Sequence, residues 1–138
     1  MNSKYRLTLI ALGLSCLCGT ANAEQANDFL KQFAVDAKQE NSSFSQFSAE
    51  KGKAFFNSTH GNDWSCSSCH TQNPTAEGKH AVTNKLIQPI SPTANAERFT
   101  NPAKVEKWFK RNCNDVLKRL CTAEEKGDVL TYLLSVKP

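Results

Sequence analysis

At 138 residues with a formal net charge of +4, the chain has room for one modest core and too little positive charge to imply nucleic acid as a partner. Its longest apolar run falls well short of the ~20 residues needed to cross a bilayer, so the sequence predicts a chain that is not membrane-embedded.

Residues Met1 to Ala23 read as a cleavable secretory signal. Lys4 and Arg6 form its positive start, Leu7 to Leu17 its apolar stretch, and Ala21-Asn22-Ala23 the small residues of a cleavage site. Cys16 and Cys18 fit a lipid-anchor box poorly, because Gly13-Leu14-Ser15 precedes the first and Leu17 the second. Cutting before Glu24 removes two cations and no acid, which lowers the net charge from +4 to +2. The expected product is exported into an oxidising space, where thiols tend to pair.

The first predicted helix runs from Ala26 to Gln39, with Phe29, Leu30, Phe33, Ala34 and Ala37 at helical spacing, and Asn41-Ser42-Ser43 ends it. A second begins with Ser48 as N-cap and continues to about Asn57, placing Phe55 and Phe56 on its last turn. Gly52 in its interior costs about 1 kcal/mol relative to alanine, a cost best understood if another backbone crosses closely there. Ser58 to Thr100 holds Gly61, Pro74, Gly78, Pro89 and Pro92 with little periodicity and reads as loop around one short helical turn at Cys66 to His70, with Leu86, Ile87, Pro89 and Ile90 as an apolar patch. A loop of that length is usually functional, and wrapping a cofactor would explain it.

Inside this loop stands Cys66-Ser67-Ser68-Cys69-His70. Two thiols three positions apart and an immediately following histidine form the attachment site of a covalent c-type haem: the sulfurs reach two carbons on one porphyrin edge and His70 becomes an axial iron ligand. A zinc site would need a second ligand pair, and a redox dithiol would follow a strand in a βαβ pattern that the chain lacks.

Regular structure resumes at Asn101-Pro102, an N-cap followed by proline at the first helical position. Val105, Trp108, Phe109, Val116 and Leu120 form an apolar stripe on the helix that follows. The last helix starts at Thr122 with capping-box spacing to Glu125 and buries Val129, Leu130, Leu133 and Leu134. Basic residues gather between Lys104 and Lys126, either as a solvated face or as a surface that steers an acidic partner. Cys113 and Cys121, the cysteines left once the signal and the haem motif are counted, form either a disulfide or two buried free thiols.

The iron's second axial position distinguishes a plain carrier from a ligand-binding protein. The only methionine is Met1, lost with the signal, so histidine/methionine ligation is excluded. His60, His80 and the lysines remain as donors. Asn112 falls within the stripe between Val105 and Val116, where a buried carboxamide without a partner costs about 1–3 kcal/mol. A neighbouring backbone group, a water or the iron would satisfy it.

Several motifs together resemble the sphaeroides haem protein family of small cytochromes c. They are Cys66 to His70, Arg98-Phe99-Thr100, Val105 to Trp108, Arg111-Asn112-Cys113-Asn114, and Cys121 to Asp128. The resemblance covers most of the chain from about Ser48 onward. It implies an all-α, class I-like cytochrome c domain over residues 48–138 wrapped around one haem c and its iron, preceded by a helical extension over residues 24–47. It further implies periplasmic location, Asn112 as a labile axial ligand, a Cys113–Cys121 disulfide, and electrons from another, probably dihaem, c-type cytochrome linked to a membrane cytochrome b.

A neutral amide oxygen is a weak donor that ferrous iron would release, which opens a site for O2, CO or NO beside Trp108 and Phe109. Both aromatics also fit an ordinary helix core. The leading expectation is therefore a one-electron carrier that binds diatomic gases and has no residue that must be catalytic. The rivals are a six-coordinate His/His or His/Lys electron shuttle without gas chemistry, and a gas sensor or store.

Overall fold

The computed structural model describes residues 25–138, so the stretch read as a signal lies outside the described residues. Chain order is α1 (Ala26–Glu40), α2 (Ala49–Asn57), α3 (Cys66–His70), β1 (Gly78–Lys79), β2 (Leu86–Ile87), α4 (Pro102–Leu117) and α5 (Ala123–Ser135). No helix among the described residues is long and apolar enough to cross a membrane.

Local chemistry sets the helix starts. Ser48 and Asn101 each accept a hydrogen bond from the backbone N–H three residues on, Pro102 occupies the first turn of α4, and Thr122 and Glu125 close a capping box on α5. Lys118 ends α4 in the left-handed conformation, with φ 61°.

Helix α5 is the centre of the molecule. Its Leu130 and Leu133 have no exposed surface, and full burial of a leucine contributes about 1.5–3 kcal/mol. On one side Phe29 and Phe33 of α1 meet Leu130 together with Val105 of α4; on the other, Phe56 of α2 meets Val129, Tyr132 and Leu133. Phe99 packs against both clusters from the end of the long loop, with its backbone at φ 56°.

Helices α2 and α5 cross at Gly52. A Cβ there would run into the main-chain carbonyl of Asp128 and stand 3.0 Å from the Cβ of Tyr132, so the expected close crossing is present. At the same crossing the buried carboxylate of Asp128 accepts the Ser48 N–H at 2.7 Å, fastening the start of α2 to α5. Burial holds the Asp128 carboxyl above the usual carboxylate range.

The structure amends the expected fold in two places. Residues 58–100 hold the expected helical turn, α3, but are not otherwise wholly irregular, since Gly78↔Ile87 and Lys79↔Leu86 pair as an antiparallel hairpin. The loop is also anchored, since the fully buried Ser91 donates its hydroxyl to Leu133 O at 2.6 Å and the Thr93 hydroxyl reaches Val136 O at 2.6 Å. The apolar stripe of α4 is narrower than its periodicity suggests. Val105 and Val116 are buried, whereas Trp108 is 47% exposed between the charges of Lys107 and Arg111, which stand over its ring at 5.9 and 5.6 Å. Leu120 is 61% exposed because it follows the left-handed Lys118 and has left the helix.

Candidate haem site

Cysteines three apart share a face only if the backbone between them is helical, and Ser65 starts that turn. Its buried side chain accepts the Ser68 N–H while the Ser68 hydroxyl accepts the Ser65 N–H, a reciprocal cap for a helix of five residues. Thr71 ends the turn at φ 60°, ψ 166°, a conformation that costs a β-branched residue about 1–3 kcal/mol. Two bonds hold it there: the Thr71 hydroxyl donates to Asn73 O at 2.7 Å, and the Asn73 N–H donates back to Thr71 Oγ1 at 3.1 Å.

The following loop then folds back onto the turn. Gly78 lies so close that a Cβ would meet Cys69 O and come within 3.0 Å of His70 Cα. The Ala81 N–H points at Cys69 Sγ at 3.3 Å. Cys66 packs against the Phe56 and Leu133 cluster, and burial pushes its thiol up to about 11. Both cysteines are unpaired, and the two remaining cysteines among the described residues, Cys113 and Cys121, form a disulfide.

The His70 ring is half-buried, 6.4 Å from Phe56, and neither ring nitrogen has a hydrogen-bond partner among the described residues. Burial first, and the charge of Arg98 second, bring its proton affinity down to about 4. At neutral pH this leaves an uncharged imidazole with a free lone pair, the form that binds metal.

The other histidines are engaged locally. His80 Nδ1 accepts the N–H groups of Val82 and Thr83, each at 3.2 Å, which places the ring proton on Nε2 and leaves no lone pair for iron. His60 Nε2 faces Phe55 O at 2.9 Å, and its ring lies against that of Phe55 at 4.4 Å.

Asn112 is half-buried on α4, directly before the disulfide cysteine Cys113, and its carboxamide makes no hydrogen bond to any described residue. Trp108 stands one turn before it on the same flank. Phe109 turns instead toward the core, edge-on to Phe33 at 5.7 Å. Among the described residues no three His, Cys, Asp or Glu side chains gather to hold a bare metal ion, so Cys66 and Cys69 have no second pair for zinc. The donor set comprises two free thiols on one helical turn, one unprotonated imidazole beside them and one unpartnered amide on a separate helix. It fits a ring tethered at one edge that brings its own four nitrogens to the iron.

Comparison with known proteins decides the family. The model of a domain of unknown function, DUF1924, matches residues 42–133. Cytochrome c'' of Methylophilus methylotrophus is 37% identical over 119 residues, 83% of either chain. The cytochrome c-type protein SHP of Cereibacter sphaeroides is 45% identical over 89 residues, 62% of this chain and 68% of that one. The chain belongs to this family of small monohaem c-type cytochromes.

Solved structures agree. The crystal structure of oxidised cytochrome c'' superposes with a TM-score of 0.74 over 82% of this cytochrome and 95% of that chain, at 37% identity. Oxidised SHP, described as an oxygen-binding cytochrome c, superposes with a TM-score of 0.71 over 80% and 96%, at 36% identity. A solution structure of cytochrome c'' that addresses haem-ligand detachment gives 0.72 over 82% and 94%, at 37% identity. The present cytochrome is accordingly an all-helical haem c protein in which a minor hairpin is the sole β-structure among the described residues. Sequence reasoning missed Arg98, Gly78 and the Ala81 amide as neighbours of the haem motif. Gly78 carried the only readable signal, a glycine shortly after a binding motif.

Proposed function

We propose that Cys66 and Cys69 tether the haem, that His70 and Asn112 are its axial ligands, and that this periplasmic cytochrome exchanges one electron and binds a diatomic gas such as O2 or NO where Asn112 withdraws. The observation that carries this reading is the Asn112 carboxamide, a half-buried polar group without a hydrogen-bond partner among the described residues, while the His80 Nδ1 lone pair is taken by the Val82 and Thr83 amides. When bound, haem supplies a one-electron couple and a coordination position opposite the histidine.

The chain's own residues would do the rest. Asn112 offers a neutral oxygen, a weak donor that a small change at the iron can displace. Once displaced, its amide NH2 can donate a hydrogen bond to a bound gas. Trp108 would shield the distal side and Phe109, held by Phe33, would back it. That SHP is described as oxygen-binding and that ligand detachment is addressed for cytochrome c'' both support the reading. A dihaem c-type cytochrome, fed from a membrane cytochrome b, is the proposed electron source. The six-coordinate alternative would have to free His80 Nδ1 from the Val82 and Thr83 amides or turn it to offer Nε2, or use the Nδ1 of His60, whose Nε2–H donates to Phe55 O.

Asn112→Val is the direct test. The variant is expected to give the absorption spectrum of a five-coordinate iron in both oxidation states and to take up CO without the lag of ligand release. A spectrum identical to wild type, unresponsive to CO, would overturn the assignment.

The disulfide bears on how far Asn112 can move. Cys113 follows it directly and Cys121 lies eight residues further on, so the bond closes the short turn that ends α4. A C113S/C121S variant is expected to lose about 2–4 kcal/mol of stability. With the iron held ferrous, its CO on-rate should also rise, as the helix end carrying Asn112 is released. Unaltered rates would show that the bond restrains something else.

A further inference from the structure

We propose that Asn62 is a positioning residue for Asn112: its side chain clamps the end of α4 to the loop that leads into the haem turn, and so sets how readily the Asn112 amide withdraws. The proposal rests on the reading of Asn112 as an axial ligand.

The clamp is a single bond between segments 54 positions apart, in which Asn62 Nδ2 donates to Val116 O at 2.9 Å. Val116 lies one turn beyond Asn112, and its carbonyl is one of the last four of α4, which have no partner within the helix. Two of the others are met locally, as the Lys118 N–H donates to Asn114 O and its ammonium to Asp115 O, each at 3.0 Å. Among the described residues only the Val116 carbonyl of these four reaches another part of the molecule.

The turn behind Asn62 is built to hold it in place. His60 and Gly61 are both left-handed, with φ 54° and 80°, which is uncommon for a histidine and needs support. Support comes from three contacts: the His60 N–H donates to Ser58 Oγ at 3.0 Å, its Nε2–H donates to Phe55 O at 2.9 Å, and its ring lies 4.4 Å from that of Phe55. The Asn62 N–H then donates to Thr59 O at 2.9 Å. Half-buried Asn62 is therefore presented by a turn fastened to the end of α2, and three residues later Ser65 caps the haem turn.

Little else fixes this half of α4. Val105 and Phe109 hold the first half to the core, and the pair between the exposed Glu106 and Lys126 adds little. The disulfide joins the helix end to the residue before the α5 cap, not to the haem loop. From Lys110 to Leu117 the Asn62 bond is the only hydrogen bond that the described residues make between α4 and a distant segment. The loop it comes from carries His70 eight residues on, and the helix it grips carries Asn112, so the bond couples the two sides of the haem site.

Two variants of the holoprotein test the clamp. Asn62→Ala removes the bond, and Asn62→Asp keeps the size while setting a carboxylate oxygen against the Val116 carbonyl. In the ferric state both are expected to raise the ratio of five-coordinate to Asn112-bound iron about twofold to tenfold, the span one hydrogen bond covers, as read from absorption and electron paramagnetic resonance spectra. Amide exchange at Val116 and Leu117 should quicken. Gly52→Ala, which strains the α2–α5 crossing instead, is the control for lowered stability and should leave the ratio unmoved.

A wild-type ratio in both Asn62 variants, or a ratio moved as far by G52A, overturns the proposal. So does failure of both variants to accumulate as holoprotein, which would make the bond a requirement of the fold. In an N112V background N62A should leave the CO on-rate unaltered; an equal change with and without Asn112 would show that the bond acts elsewhere. Failure of the underlying ligand reading has its own signature, a wild-type spectrum in N112V itself.

Discussion

A C66A/C69A variant, produced where haem attachment operates, is expected to contain no covalently bound porphyrin: acid–acetone extraction should strip all colour from it and leave the wild type red. The reason lies in how little else secures the haem turn. Helix α3 is five residues long, far below the length at which a helix holds by itself, and it depends on the Ser65–Ser68 cap, the strained Thr71 and the Gly78 contact. His70 alone would bind haem reversibly, with the occupancy any dissociable ligand has. The single variants should differ. Cys66 is packed into the Phe56 cluster, so C66A also opens a small gap in the core, whereas Cys69 mainly receives the Ala81 amide. C66A is therefore expected to be the less stable of the two by about 1 kcal/mol, read as a shifted urea midpoint. Colour that survives extraction from the double variant would refute attachment through these sulfurs.

The second large effect is on stability. Gly52→Ala would ordinarily stabilise a helix by about 1 kcal/mol, since alanine is the better helix former. Here the new methyl would be driven into the Asp128 carbonyl, a main-chain atom inside α5 that cannot rotate aside, and against Tyr132 Cβ. Overpacking of this kind typically costs about 1–3 kcal/mol, and separation of α2 from α5 would also stretch the Ser48–Asp128 bond and expose part of the Phe56 cluster. A net loss of about 2 kcal/mol or more is expected, which for a domain of this size lowers Tm by roughly 8 °C or more. The haem spectrum of the folded fraction should be unaltered, because the atoms nearest a Cβ at Gly52 belong to Asp128 and Tyr132 of α5 and not to the haem turn. A G52A protein as stable as wild type would mean the helices can part at no cost.

Much of this was legible from local chemistry. Ser48, Asn101-Pro102 and Thr122 declare their helix starts because a cap is a contact within three residues, and Cys66 to His70 announces its cofactor for the same reason. Even the close approach at Gly52 could be read, from the cost of a glycine in mid-helix. What escaped depends on distant partners. Two-residue strands have no alternation to display, so the Gly78–Ile87 pairing leaves no periodic trace. The fork that the Arg98 guanidinium makes on the Gln88 and Pro89 carbonyls is invisible because carbonyls have no sequence signature. Helical phase alone puts Trp108 and Leu120 on the stripe. The first stands at the stripe's edge between two cations, and the second lies past a helix end set by Lys118. Asp128 hides for a related reason: an acid in a helix reads as surface until the amide it accepts, 80 positions earlier, comes into view.

That last bond says something about the order of assembly. The ribosome delivers Ser48 long before Asp128, so α2 has nothing to lean on while the chain is still growing, and long-range closures of this sort form slowly. The Cys66–His70 stretch lies inside the loop that this one contact closes, so its enclosure waits on the last helix.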